Sequence, residues 1–274
     1  MKKPLDPVIA LLGVPYDEKS SFYRGAAAAP PLIREWLYIE ASNLWTENEF
    51  NLGVENLLFD AGDLDLKDSQ EPFHDIETAV ANLLEQELKP IILGGDHAIT
   101  YPVLRAFSGK YPRLSLLQFD AHPDLYDEFE GDRYSHACPF ARVMEDGLVD
   151  RLVQVGIRSL NRHQREQAEK FGVEMHLMKD WREAIALDFD SPLYISFDMD
   201  VLDPAFAPGL SHREPGGFST RRVIAMIQSL QAPIVGADIV EFNPSRDVYD
   251  LTAVTCAKIL KEIAGKMLET VEGE

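Results

Sequence analysis

Three short apolar runs in this chain end in side chains that a buried strand cannot leave unattended, and their agreement limits the fold more than any other feature. Leu114 to Leu117 leads into Phe119-Asp120-Ala121-His122-Pro123-Asp124, and Tyr194-Ile195-Ser196-Phe197 leads into Asp198 and Asp200. Pro90-Ile91-Ile92-Leu93 ends in Gly94-Gly95-Asp96-His97, where the glycines permit a tight turn that brings His97 to the same rim. Residues two apart on an extended strand share a side. Asp120, His122 and Asp124 are therefore expected to project together, as are Asp198 and Asp200. Carboxylates and imidazoles gathered at the end of a buried strand are costly unless something cationic sits among them.

Four carboxylates and two imidazoles make a mixed oxygen and nitrogen donor set that suits a pair of divalent first-row ions such as Mn²⁺. Two like charges about 4 Å apart repel by about 4 kcal/mol at an effective dielectric of about 20. Four clustered carboxylates call for two dications rather than one. The competing reading is that these are turn-capping aspartates, which is what most Asp residues after strands are. One such motif leaves that reading open; three strand ends in agreement favour a metal centre.

The rest of the chain alternates strand and helix patterns. Val8 to Val14, Leu57 to Asp60, Leu152 to Ile157, Val173 to Leu177 and Ile234 to Val240 read as further strands. Helical spacing is expected from Pro30, over Ile76 to Leu88, Thr100 to Phe107, Ala137 to Met144, Arg162 to Phe171, Trp181 to Leu187, Thr220 to Leu230 and Leu251 to Leu268. About eight strands separated by helices predict an α/β fold of three αβα layers around a parallel sheet, with ligands outside the carboxyl ends of the strands. No internal repeat or linker divides residues 1–274, so one domain is expected.

With 26 basic against 46 acidic side chains, the formal net charge of -20 disfavours nucleic acid and anionic membranes and favours a small cationic partner. No apolar run approaches the roughly 18 residues of a membrane span. Cys138 and Cys256 show neither disulfide-framework nor metal-ligand spacing, and the stretch from Met1 to Pro7 has no apolar core of signal-peptide length, so a cytoplasmic location is expected.

GGDHAIT at 94–100, FDAHPD at 119–124, SFDMDVLDPAFAPG at 196–209 and GVPYD at 13–17 together resemble the motifs of the ureohydrolases, the arginase and agmatinase family. The resemblance runs from end to end. It implies a three-layer αβα fold, two Mn²⁺ ions, a trimeric or hexameric homo-oligomer, and hydrolysis of a guanidino group to urea and an amine. Carried over by position, it implies one ion on His97, Asp120, Asp124 and Asp198, and the other on His122, Asp120, Asp198 and Asp200. It also implies that Asp124 hydrogen-bonds the attacking oxygen, that Glu241 grips the guanidinium, and that His136 carries the proton to the leaving amine.

At the substrate's tail the chain departs from the animal and bacillary arginase pattern. Tyr126 stands where that pattern has an asparagine, and Ser159 and Asn161 stand where it has acids. A tyrosine there is similar to agmatinases, whereas Tyr134-Ser135-His136-Ala137, Ser211-His212-Arg213-Glu214 and Glu241-Phe242-Asn243-Pro244 are similar to plant-type arginases. The expectation is an agmatinase, with Tyr126, Asn161 and Glu241 contacting agmatine. Arginase, or a hydrolase of another guanidino acid or formimino compound, is the alternative. A deacylase with one Zn²⁺ and a non-catalytic metal-binding relative are the readings from other classes.

Overall fold

Each apolar run becomes a strand of one parallel sheet in the computed structural model, which describes residues 8–54, 57–181 and 187–272. The strands are β1 (Ile9–Gly13), β2 (Leu58–Asp63), β3 (Lys89–Leu93), β4 (Ser115–Phe119), β5 (Arg151–Ile157), β6 (Glu174–Leu177), β7 (Leu193–Asp198) and β8 (Ile234–Val240), in the spatial order β2-β1-β3-β8-β7-β4-β5-β6. All neighbouring pairs are parallel. The helices are α1 (Ala29–Tyr38), α2 (Pro72–Glu85), α3 (Thr100–Lys110), α4 (Pro139–Glu145), α5 (Arg162–Phe171), α6 (Thr220–Ser229) and α7 (Leu251–Glu272). This is the expected αβα arrangement.

Successive strand residues point to opposite faces, and both faces are covered. Ile9, Leu11, Ile91, Leu93, Ile195 and Phe197 pack under α1, α6 and α7. Ala10, Leu12, Ile92, Leu116 and Tyr194 pack on the other side, under α2, α3 and α4. Each fully buried Leu, Ile or Phe contributes about 1.5–3 kcal/mol, so the two layers hold the sheet rigid beneath its carboxyl edge.

Boundaries differ where turn chemistry overrides periodicity. Helix α2 begins at Pro72, before its first core residue Ile76, because proline at the first helical position needs no N–H partner. It ends at Glu85, short of Leu88, and Glu87 then adopts a left-handed φ of 62°. The helix expected over Trp181 to Leu187 falls on residues 182–186, outside the described residues. Among the described residues no helix is long and apolar enough to cross a membrane.

The strand order does most to build the site. Adjacent strands β3, β8, β7 and β4 lead, at their carboxyl ends, to His97, Glu241, Asp198 and Asp120. Residues up to 144 positions apart in sequence thus share one rim, and the N–H of His97 donates to Glu241 Oε1 at 2.9 Å.

Candidate metal centre

The three aspartates that end the strands at this rim make the same local bond. Asp120 Oδ1 accepts from His122 N at 2.6 Å, Asp198 Oδ1 from Asp200 N at 2.8 Å, and Asp96 Oδ1 from Ala98 N at 3.1 Å. The backbone therefore turns at these points instead of continuing as strand. Strand β4 stops at Phe119, Asp124 has φ 48°, and Asp200 lies in a 3₁₀ turn, Met199–Val201. The side chains do converge, but through these turns and not through the strand alternation expected from the sequence. Turn-capping and cluster-forming prove compatible: for Asp120 and Asp198 one carboxylate oxygen caps the turn and the other faces inward.

His97 stands at the centre of the inward-facing groups. Its Nδ1 lies 3.2 Å from Asp120 Oδ2, 3.1 Å from Asp124 Oδ2 and 3.2 Å from Asp198 Oδ2. His122 Nδ1 lies 2.8 Å from Asp200 Oδ2 and 3.6 Å from Asp120 Oδ1. Two groups with metal-ligand spacing result, His97 with Asp120 and Asp124, and Asp120 with His122 and Asp200; Asp120 is common to both. Gln118 Nε2 donates to Asp120 Oδ2 at 2.7 Å, and the N–H of Ala121 donates to Asp200 Oδ1 at 2.9 Å, fixing both carboxylates.

The electrostatics of the bare cluster are frustrated. Burial, then the charge of Asp120, pushes Asp124 up to about 6. Burial, Asp200 and Asp120 raise Asp198 well above the carboxylate range. For Asp120 burial acts upward, but the nearby imidazoles of His122 and His97 prevail and hold it low. Burial alone would lower His97, yet the surrounding carboxylates raise it well above an ordinary imidazole. Its Nδ1 is fully buried and has no partner of hydrogen-bonding geometry, although three carboxylates surround it. Such a buried set of carboxylate oxygens and imidazole nitrogens fits divalent metal.

Behind His97 lies a second polar layer that sequence reasoning missed. Nε2 of His97 is 2.9 Å from Ser196 Oγ, which donates to Asp238 Oδ1 at 2.8 Å. Asp238 Oδ2 accepts from Tyr194 O–H at 2.9 Å and Thr100 O–H at 3.0 Å. A sequence signal existed: Ser196 and Asp238 interrupt strands that are otherwise apolar on both faces.

Facing the cluster is a cavity of about 160 Å³, lined among others by Ser21, Tyr126, His136, Ser159, His212 and Glu241. It suits a slender substrate chain. His136 Nδ1 is 2.9 Å from Glu241 Oε1, and Ser21 closes on the other ring nitrogen, with its hydroxyl at 2.8 Å and its N–H at 3.2 Å. Burial opposes the charged imidazole, but the Glu241 carboxylate prevails and raises His136 to about 9. Tyr126 lines the cavity, whereas Asn161 stands behind it: its Oδ1 caps α5 by accepting from Gln164 N at 2.9 Å, and its Nδ2 donates to the Tyr126 hydroxyl at 2.5 Å. Ser21 and His212 are cavity residues that the sequence did not mark; burial holds His212 below the ordinary imidazole value.

A profile of the arginase family matches residues 8–265. "Arginase 1, mitochondrial" of Arabidopsis thaliana is 46% identical over 94% of this chain and 80% of its own length. "Agmatinase" of Bacillus cereus is 32% identical over 93% of this chain and 90% of its own. The solved structure "Arginase from Medicago truncatula" superposes with a TM-score of 0.91 at 44% identity, covering 95% of this chain and 87% of that one. Fold, site and matches define a metal-dependent hydrolase of guanidino carbon–nitrogen bonds. The chain belongs to the arginase family.

The same comparisons overturn the expected cytoplasmic location. The Arabidopsis relative and others from Medicago truncatula and Oryza sativa are named mitochondrial.

Proposed function

We propose that the chain hydrolyses the guanidino group of L-arginine to urea and L-ornithine at a pair of Mn²⁺ ions, with residues 1–274 acting as one domain. The observation that carries this reading is the pair of His/Asp groups sharing the buried Asp120, with Glu241 and His136 lining the same cavity. His97, Asp120, Asp124 and Asp198 would hold one ion, and His122, Asp120, Asp198 and Asp200 the other. When bound, the ions supply the positive charge that makes a water nucleophilic near neutral pH.

The chain's own groups do the rest. Glu241 Oε1 is held by His97 N–H and His136, leaving Oε2 to receive the guanidinium through a charge-assisted bond. Asp124, at the inner end of the cavity, accepts a hydrogen bond from the attacking water. His136 lies beside Glu241, whose carboxylate favours the charged imidazole, and is placed to give a proton to the departing amine. A guanidinium on Oε2 shares the carboxylate's charge and so loosens its hold on the His136 proton.

Identity of 44–46% to plant proteins named arginase, against 32% to those named agmatinase, supports arginine and reverses the expected order of substrates. Ser21, Ser159 and His212 offer uncharged hydrogen-bonding groups for an α-carboxylate. A second reading, agmatine, is favoured by one feature: among the described residues no lysine or arginine lines the cavity to neutralise that carboxylate. A homo-oligomer, trimer or hexamer, is part of the proposal; exposed Val248, Tyr249, Leu251 and Val254, before and at the start of α7, support it.

Urea release from arginine, agmatine and guanidinobutyrate by the Mn²⁺-loaded protein is the test. A kcat/KM highest for arginine is expected. A reversed order assigns agmatine, and no urea from any of the three removes the proposal.

A further inference from the structure

The polar layer behind His97 has a direction. Thr100, Tyr194, Ser196 and Asp238 are each fully buried, so none can exchange its partners for water. Three hydroxyls converge on the two oxygens of Asp238, an arrangement that suits an ionised carboxylate, which can only accept. Ser196 thereby spends its single proton on Asp238. It meets His97 with a lone pair, 2.9 Å from Nε2, so the ring hydrogen must sit on Nε2. In the neutral ring that a metal needs, Nδ1 is then the bare nitrogen, and Nδ1 is the atom surrounded by Asp120, Asp124 and Asp198. Were Asp238 replaced by a group able to donate, Ser196 could turn its hydrogen toward His97 and favour the opposite tautomer.

We propose that Asp238, acting through Ser196, is the positioning residue that makes His97 a metal ligand, and that this relay serves one of the two ions selectively. The inference rests on the reading of the cluster as a two-metal centre. The relay bonds His97 and makes no hydrogen bond to His122 or Asp200, whose ring and carboxylate are oriented instead by each other and by Ala121 N–H. Its loss therefore weakens the ion on the His97 side and leaves the ion on the His122 side in place.

The test is calorimetric titration of Mn²⁺ into the metal-stripped full chain, as wild type, Ser196→Ala and Tyr194→Phe, with circular dichroism to verify the fold. Wild type is expected to take up two ions. Ser196→Ala should bind one ion as wild type does and the other about 10–100-fold more weakly, the range for losing an outer partner of a metal-bound histidine. Tyr194→Phe keeps the Ser196–Asp238 bond and should stay within about threefold of wild type. Unchanged binding of both ions by Ser196→Ala, or an equal loss of both, overturns the relay while leaving the metal centre standing. A wild type that binds no Mn²⁺ removes the metal centre and the relay with it. A second measurement needs no variant: ¹⁵N spectra of histidine-labelled wild type loaded with diamagnetic Zn²⁺ should show His97 carrying its hydrogen on Nε2. A hydrogen on Nδ1 would overturn the proposal.

Discussion

Replacing His136 by asparagine separates the two roles that its position gives it. In the folded chain the imidazole lies 2.9 Å from Glu241 Oε1 and is 8% exposed, and its pKa rises from 6.5 to about 9. A rise of that size corresponds to about 3 kcal/mol of folding stability, at about 1.4 kcal/mol per pKa unit. Because the folded value lies above the unfolded one, this contribution is complete below pH ~6.5 and is lost as pH rises through about 9. In metal-free protein, urea denaturation should therefore show His136→Asn less stable than wild type by about 3 kcal/mol at pH 6, with the gap closing by pH 10. The Mn²⁺-loaded variant should lose about 10²–10⁴-fold in kcat, the span for removing a positioned general acid, while KM changes little. A stability gap equal at both pH values would refute the pairing with Glu241. A kcat within a factor of about three of wild type would refute proton delivery by His136.

Asp120→Asn should lower Mn²⁺ uptake at both sites, since Asp120 is common to both donor groups, and urea release should vanish; metal analysis after gel filtration checks it. Gly95→Ala should destabilise the chain by about 1–3 kcal/mol in thermal unfolding, because a Cβ there would lie 1.8 Å from the carbonyl oxygen of Tyr16 and force the His97 turn apart. Phe197→Ala should cost about 3–5 kcal/mol by the same measurement, since Phe197 is fully buried and its ring packs 5.4 Å from that of Phe119.

The sequence carried the layers and the clustered aspartates and histidines because each is written in local pattern. Apolar runs such as Ile91 to Leu93 form strands covered on both faces, and aspartates and histidines that end them are too polar to be filler. Strand order is not local. Nothing in residues 234–240 shows that β8 inserts between β3 and β7, and that insertion is what carries Glu241 to the backbone of His97. Side-chain partners across strands were hidden for the same reason. Ser196 and Asp238 read as isolated polar interruptions until β7 and β8 were placed side by side. The part Asn161 plays in the fold was likewise not local: it is the N-cap of α5 and its amide donates to the hydroxyl of Tyr126.

Anomalous diffraction at the manganese absorption edge, from crystals of the Mn²⁺-soaked protein, addresses the shared cluster without relying on turnover. Two peaks are predicted, one among His97, Asp120, Asp124 and Asp198 and one among His122, Asp120, Asp198 and Asp200, with Asp120 reaching both. A single peak, or manganese bound only away from these six side chains, would contradict it.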